Sequence, residues 1–350
     1  MQIKLAILEQ DENYLKRMAA ALSSRYAQEL QLYSFTEAKE ALTALKEKKI
    51  QVFLCSEECG IDLQAVPGTC SFAWLVESAG VDKLNGQRAV CKFQRVEQLY
   101  KQVLNLFSEQ APEFSGGGSG NAAMKVIAFA SPAGGVGNSS LAAAFAISAA
   151  KAGKRVLFLN ESVYGSADDF FFSDGQFDFS EAIYAVKSSR TNRSIKLQST
   201  VKQDASGVYF YSSVKIALDM MEMTPEDHTV LLQELQKLGC YDIVVLDLDF
   251  PRCRQDFQKL YGCRWVVITS DSTEQVQNKV DKALTAIRVL DENAERALQP
   301  RVWLAWNRTS EEKKAQGECS TLGSFPQYQN VPPAQMARQL ALSPLFQKLM

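Results

Sequence analysis

The segment from Lys125 to Gly153 constrains this chain more than any other. Its apolar run KVIAFA reads as a buried strand, SPAGGVGNSS as a glycine-rich turn, and LAAAFAISAAKAG as a helix. That order makes a physical device. Main-chain N–H groups of the turn and of the first helical turn converge on one point, where the helix dipole adds positive potential. Glycines at 134, 135 and 137 let the backbone approach an anion and adopt positive φ. Gly153, just after Lys151, ends the helix, and RVLFLN opens the next strand. Such a unit implies an α/β domain with a mostly parallel sheet flanked by helices.

Two later segments fit the same domain. Tyr241–Asp247, YDIVVLD, is an apolar strand ending in a carboxylate. It follows a helix that starts at Thr224-Pro225-Glu226-Asp227, with Thr as cap and Pro in the first turn. Val302–Trp306 is another strand, ending in Asn307-Arg308.

The loop resembles that of the MinD/ParA family of P-loop ATPases, which reads KGGxGK[ST]. Here Ala133-Gly134-Gly135-Val136-Gly137-Asn138-Ser139, then Ser140, keeps the three glycines and the hydroxyl pair. Ala133 stands where a lysine reaches the partner's phosphates across a dimer, and Asn138 where the loop lysine bridges the β- and γ-phosphates. The anion nest and the magnesium hydroxyl need no lysine. The resemblance therefore implies ATP and Mg2+ as cofactors, held by Gly134, Gly135, Val136, Gly137, Asn138, Ser139, Ser140, Asp247, Asn307 and Arg308, with the metal on Ser139 and Asp247. In that pattern Asn307 recognises adenine; a surface asparagine in a turn is the alternative. The family's Asp-x-Asp after the second strand, which orients the attacking water, is here Asn160-Glu161-Ser162. No catalytic residue is identified; Asp247 and Glu161 are the nearest candidates. Glu161, Asp168 or Asp249 are available to compensate, and Arg252 or Arg254 to supply positive charge. Phosphoryl transfer depends on placed charge, so ATP is expected to be bound and hydrolysed slowly or not at all.

A chain of 350 residues exceeds the roughly 100–200 of one domain. Ser108–Ala123, SEQAPEFSGGGSGNAA, has the composition of a flexible tether and divides it into 1–107 and 124–350. In the first part, strand patterns at Ile3–Leu8, Leu32–Phe35, Val52–Cys55, Phe72–Val76 and Ala89–Phe93 alternate with helical spacing at Tyr14–Leu22, Ala38–Lys48 and Val96–Phe107. This order resembles a flavodoxin-like response-regulator receiver domain. Glu9, Gln10 and Asp11 partly keep its acidic cluster, and Lys92 matches its lysine, followed by Phe93 in place of proline. The phosphoacceptor position falls on Ser56, which has no carboxylate, so aspartyl-phosphate chemistry cannot proceed. Glu57 and Glu58 read as exposed loop acids rather than a fixed mimic of the phosphate charge. The unit is expected to be a docking or dimerisation module.

Composition excludes several classes. Net charge is −2 with no block of like charge, so no nucleic-acid-binding face is expected. The eight cysteines contain no CxxC pair and there is one histidine, His228, which leaves metal hydrolases and Cys/His or Ser/His mechanisms without support. The cysteines are expected to be reduced and mostly buried. No signal peptide and no apolar run of about 18 residues is present, so a cytoplasmic protein without stable membrane insertion is expected. Met336, Leu340, Leu342, Leu345, Phe346 and Leu349 are accompanied only by Arg338 and Lys348 and interrupted by Pro344, which favours a core-packing terminal helix over a membrane anchor.

A degenerate receiver fused to a MinD/ParA-like domain with an altered loop resembles the TadZ/CpaE group, and Val201–Asp219 is also similar to that group. The resemblance implies a homodimeric, ATP-dependent localisation protein of the tight-adherence (Flp) pilus machinery. It further implies a site at a pole on the inner face of the membrane, reached through the pilus secretion ATPase and inner-membrane components. The alternative is an active ParA/MinD-like ATPase that positions cargo by a hydrolysis cycle.

Overall fold

A computed structural model describes residues 2–108, 124–165, 167–188, 192–309 and 319–350. Apart from Ser108, the expected tether lies outside them. Two compact units result: Met1–Ser115 with Ser188–Thr200, and Gly116–Lys187 with Val201–Met350.

The first unit is a six-stranded sheet of β1 (Ile3–Leu8), β2 (Leu30–Phe35), β3 (Val52–Ser56), β4 (Ser71–Val76), β5 (Lys83–Leu84) and β6 (Gln87–Cys91), in the order β2-β1-β3-β4-β6-β5. All pairings are parallel except β5 with β6, which leaves the doubly wound order of a flavodoxin-like sheet. Its helices are α1 (Glu12–Tyr26), α2 (Ala38–Glu47) and α3 (Val96–Ser108). No α-helix joins β3 to β4 or β4 to β6. The first connection carries Gly60, Pro67 and Gly68 and forms only short 3-10 turns at Glu57–Cys59 and Leu63–Ala65. The second is too short for a crossover helix and turns instead through Asn85 (φ 49°) and Gly86 (φ 77°), the two-residue hairpin that this dipeptide favours. The last strand ends at Cys91, so Lys92 and Phe93 lie beyond it.

The second unit contains an eight-stranded sheet: β7 (Lys125–Ala130), β8 (Val156–Asn160), β9 (Lys202–Gln203), β10 (Tyr209–Phe210), β11 (Ile243–Asp247), β12 (Trp265–Ser270), β13 (Val302–Trp306) and β14 (Ser320–Ser324). Their order is β14-β13-β12-β7-β11-β8-β10-β9, with only β9–β10 antiparallel. Its helices are α4 (Asn138–Lys151), α5 (Ala167–Phe170), α6 (Phe179–Lys187), α8 (Ala217–Met221), α9 (Pro225–Leu238), α10 (Phe257–Tyr261), α11 (Glu274–Asp291) and α12 (Pro333–Leu340), while α7 (Arg193–Thr200), which lies among them in sequence, belongs to the first unit. Helix α4 is apolar on nearly every face because it is covered on both sides. The sheet lies beneath it, and α12 with the closing 3-10 turn Pro344–Leu349 lies above, where Phe346 meets Phe145 and Phe325. The C-terminus thus packs into the core, and Leu342 alone of its expected apolar set is largely exposed, at 73%.

One segment departs from the boundary read in the sequence. Helix α7 packs on α3 of the first unit, where buried Lys196 donates from Nζ to Asn105 Oδ1 at 3.1 Å and Asn192 N donates to the Ser108 carbonyl at 3.0 Å. None of the eight cysteines forms a disulfide; three are buried, four half-buried and Cys253 is exposed. Among the described residues no helix is long and apolar enough to cross a membrane.

Candidate functional site

In the second unit, β7 and β11 run side by side and end together, so the turn after β7 faces the carboxylate that ends β11. Gly135 (φ 75°) and Gly137 (φ 85°) hold the turn in left-handed conformations, and Gly137 caps α4. A cavity of about 640 Å3 opens above it, within the range that holds a nucleotide. The whole turn from Ser131 to Ser140 lines it, with Ser162, Asp247–Arg252 and Arg308. Nothing would meet a Cβ at Gly134 or Gly135, so the main chain there is open to an incoming group. Ser131 anchors the turn by donating to the Thr269 carbonyl at 2.6 Å and accepting from Ala133 N at 3.2 Å.

The side chain of Asn138, in the cavity wall, is held at both ends. Its Nδ2 donates to Asp247 Oδ1 at 3.0 Å, while its Oδ1 accepts from the Thr269 hydroxyl at 2.9 Å. On the other side, Asn160 Nδ2 donates to Asp247 Oδ2 at 2.8 Å, and Asn160 Oδ1 accepts from Ser162 N at 3.1 Å. Ser139 is a third hydrogen-bond partner of the same carboxylate. Burial pushes the Asp247 carboxyl up to about 6; hydrogen bonds from Ser139, Asn138 and Asn160 oppose the rise, and the charge of Asp249 adds to it.

The donor set can be tested against the implied cofactors. Among the described residues no cluster of three His, Cys, Asp or Glu side chains could hold a metal by itself. One hydroxyl and one carboxylate at the foot of an anion nest suit a magnesium ion that keeps its waters and arrives on phosphate oxygens. The main chain at Gly134 and Gly135, which lines the cavity with open space on the Cβ side, suits those oxygens.

Other expected residues are placed differently. Asn307 is 3% exposed and absent from the cavity wall; its Nδ2 donates to the Val136 carbonyl and its N–H to the Ser270 carbonyl, both at 2.8 Å. It braces the loop from behind, while Arg308 beside it (φ 61°) does reach the cavity. Glu161 points away from the cavity. Its carboxylate is buried between His228 Nδ1 at 2.7 Å and Lys259 Nζ at 2.9 Å. Burial alone would raise its pKa, but the opposed charges of His228 and Lys259 outweigh it and hold the carboxyl down at about 2. Glu161 therefore drops out as a water-orienting group, a correction to the sequence reading. Asp168 accepts from Ser213 N at 2.6 Å outside the cavity wall. Asp249 lines the cavity but is held by the Ser162 hydroxyl at 3.0 Å and Val163 N at 3.2 Å. Of the two candidate arginines Arg252 is in the wall and Arg254 is not. The Glu161–His228–Lys259 triad was not legible in the sequence, because its members sit on three separate elements.

The first unit has a buried ion pair at the ends of its strands. Lys92 Nζ meets Glu9 Oε2 at 2.8 Å with both side chains buried, and Tyr14 donates to the Lys92 carbonyl at 2.6 Å. Asp11 is spent on capping α1 through Asn13 N and Tyr14 N. Ser56 is 1% exposed, and its hydroxyl has no hydrogen-bond partner among the described residues. Glu57 and Glu58 are exposed on the turn that follows.

Comparison with known proteins accords with both units. The family model described as TadZ-like, receiver domain, matches residues 1–108, so the first unit is a receiver-like domain of that type. The second has the fold of a ParA family ATPase from Chlorobium tepidum, at 19% identity and a TM-score of 0.51 over 65% of this chain and 96% of that one. Also similar are the MinC:MinD cell division protein complex of Aquifex aeolicus (14%, TM-score 0.46, 65% and 96%) and the cell division ATPase MinD of Pyrococcus furiosus (13%, 0.46, 65% and 99%). No curated protein matches the sequence.

Proposed function

We propose that this chain is an ATP-binding, homodimeric localisation and assembly protein of a tight-adherence pilus machinery, of the TadZ/CpaE type, in which nucleotide acts as a structural ligand and is hydrolysed weakly or not at all. One observation carries the reading: the glycine-rich turn and the N-terminus of α4 line the cavity, while Asn160 is committed to Asp247 and Glu161 to His228 and Lys259. The main chain at Gly134, Gly135 and Gly137 takes the phosphates, Ser139 and Asp247 take the magnesium shell, and Arg308 and Arg252 face the ligand from the cavity wall. Magnesium, when bound, supplies the positive charge that Ala133 and Asn138 no longer bring. The TadZ-like receiver unit supports the pilus assignment and its polar, partner-borne placement at the inner face of the membrane. Its closed Glu9–Lys92 pair suits a docking module rather than a phosphorylated switch.

Titration calorimetry with Mg-ATP, sedimentation of the apo and loaded protein, and a phosphate-release assay test this together. Saturable binding, a shift from monomer to dimer and turnover near background are expected. Absence of both heat and thermal shift at saturating Mg-ATP would remove the reading. Turnover abolished by Asp247→Ala would favour the hydrolysis cycle instead.

A further inference from the structure

Asp247 is gripped from both sides by neutral amides, and each amide is fixed at its far end. Asn138 cannot turn without surrendering the Thr269 hydroxyl, nor Asn160 without surrendering Ser162 N. One buried carboxylate thereby ties together the first turn of α4, the end of β8 and the end of β11. A buried carboxylate needs donors on its oxygens, and here no cation supplies them. A carboxylate would fit at 160 only with a cation at hand. An aspartate at 160 would set a second carboxylate about where the amide nitrogen now lies, 2.8 Å from Asp247 Oδ2. Two such carboxylates cannot both ionise unless a positive charge stands beside them. A lysine at 138 would put that charge on the opposite oxygen.

We infer that Asn138 and Asn160 are positioning residues that act as a matched pair, holding Asp247 and the phosphate loop in a ligand-ready shape without any cation of the protein's own. This rests on the nucleotide-binding reading above. Its consequence is that a carboxylate can be introduced at 160 together with a lysine at 138 but not alone.

The test is a double-mutant cycle in the full chain: Asn138→Lys, Asn160→Asp and the two combined, read by thermal melting without ligand and by affinity for Mg-ATP. Asn160→Asp alone should melt well below wild type and bind Mg-ATP at least about tenfold more weakly. The double variant should recover most of both losses, a coupling of about tenfold or more in Kd. If Asn160→Asp fails to fold, Asn138→Ala, Asn160→Ala and their combination replace it, and the two truncations together should cost less than their sum. Additive melting would overturn the pairing. Coupled melting with additive affinities would overturn the positioning role and leave a fold staple. Wild type that binds no Mg-ATP would sink the functional reading, and the ligand-free melting cycle distinguishes that failure from the failure of the pair.

Discussion

Replacing Gly137 by alanine is the sharpest perturbation of the phosphate loop. The residue sits at φ 85°, and a Cβ built there would lie 2.3 Å from Asn307 Nδ2 and 3.5 Å from its Cγ. Left-handed backbone costs an alanine about 1–2 kcal/mol. The clash is not relieved cheaply, because Asn307 is buried and its amide is committed to the Val136 carbonyl. Driving it off leaves buried polar groups unsatisfied, at about 1–3 kcal/mol. Gly137→Ala should therefore cost about 2–5 kcal/mol, less the few tenths to about 1 gained by stiffening the unfolded chain. Gly153 provides the control: its φ is 81°, but nothing lies within 4 Å of its Cβ position, so Gly153→Ala should cost only the strain. Denaturant unfolding followed by tryptophan fluorescence in a Trp74→Phe background reads the second unit alone, since Trp265, Trp303 and Trp306 all belong to it. Equal midpoints for Gly137→Ala and Gly153→Ala would refute the clash. So would a Gly137→Ala/Asn307→Ala variant whose loss equals the sum of the singles, because removing Asn307 should open the space.

Three further outcomes are expected. Glu161→Gln should cost about 3–5 kcal/mol by leaving the half-buried Lys259 without its counter-charge and the buried His228 without its carboxylate partner, read by the same unfolding assay. Because the Glu161 carboxyl is held at about 2 against an ordinary 4.5, its stabilisation of about 3 kcal/mol is present above pH 4.5. It is lost as pH falls through 2, so wild type and Glu161→Gln should converge in acid; a gap that stays constant from pH 6 to 2 would contradict this. Lys92→Met should destabilise the first unit by about 3–5 kcal/mol, seen in Trp74 emission, and Glu9→Leu added to it should recover most of the loss. Incubation with a small acyl-phosphate donor should add no phosphoryl mass to the protein, since a buried serine hydroxyl occupies the acceptor position; a gain of one phosphoryl group on the first unit would count against the closed site.

What could be read from the sequence was whatever chain neighbours decide. The succession of Ile3–Leu8, Val52–Cys55 and Val96–Phe107, each within a residue of the element observed, the glycines that let a loop turn before α4, and the Thr224 cap of α9 all follow from periods of two or 3.6 and from local backbone freedom. The missing connecting helices of the first unit were in principle legible too, in Gly60, Pro67 and the Asn85-Gly86 turn. Tertiary structure alone decided which way the ends of the strands spend their side chains. Asn160 and Glu161 are adjacent, yet one grips Asp247 and the other turns to His228 and Lys259, because successive side chains leave a strand on opposite faces and their partners arrive from distant elements. Asn138 meets Asp247 across 109 positions, Asn307 meets the loop across 171, and α7 belongs to the first unit although it lies in sequence between the two stretches of the second. A hydrogen bond is set by distance in space, and no periodicity along the chain encodes which remote group will fill it.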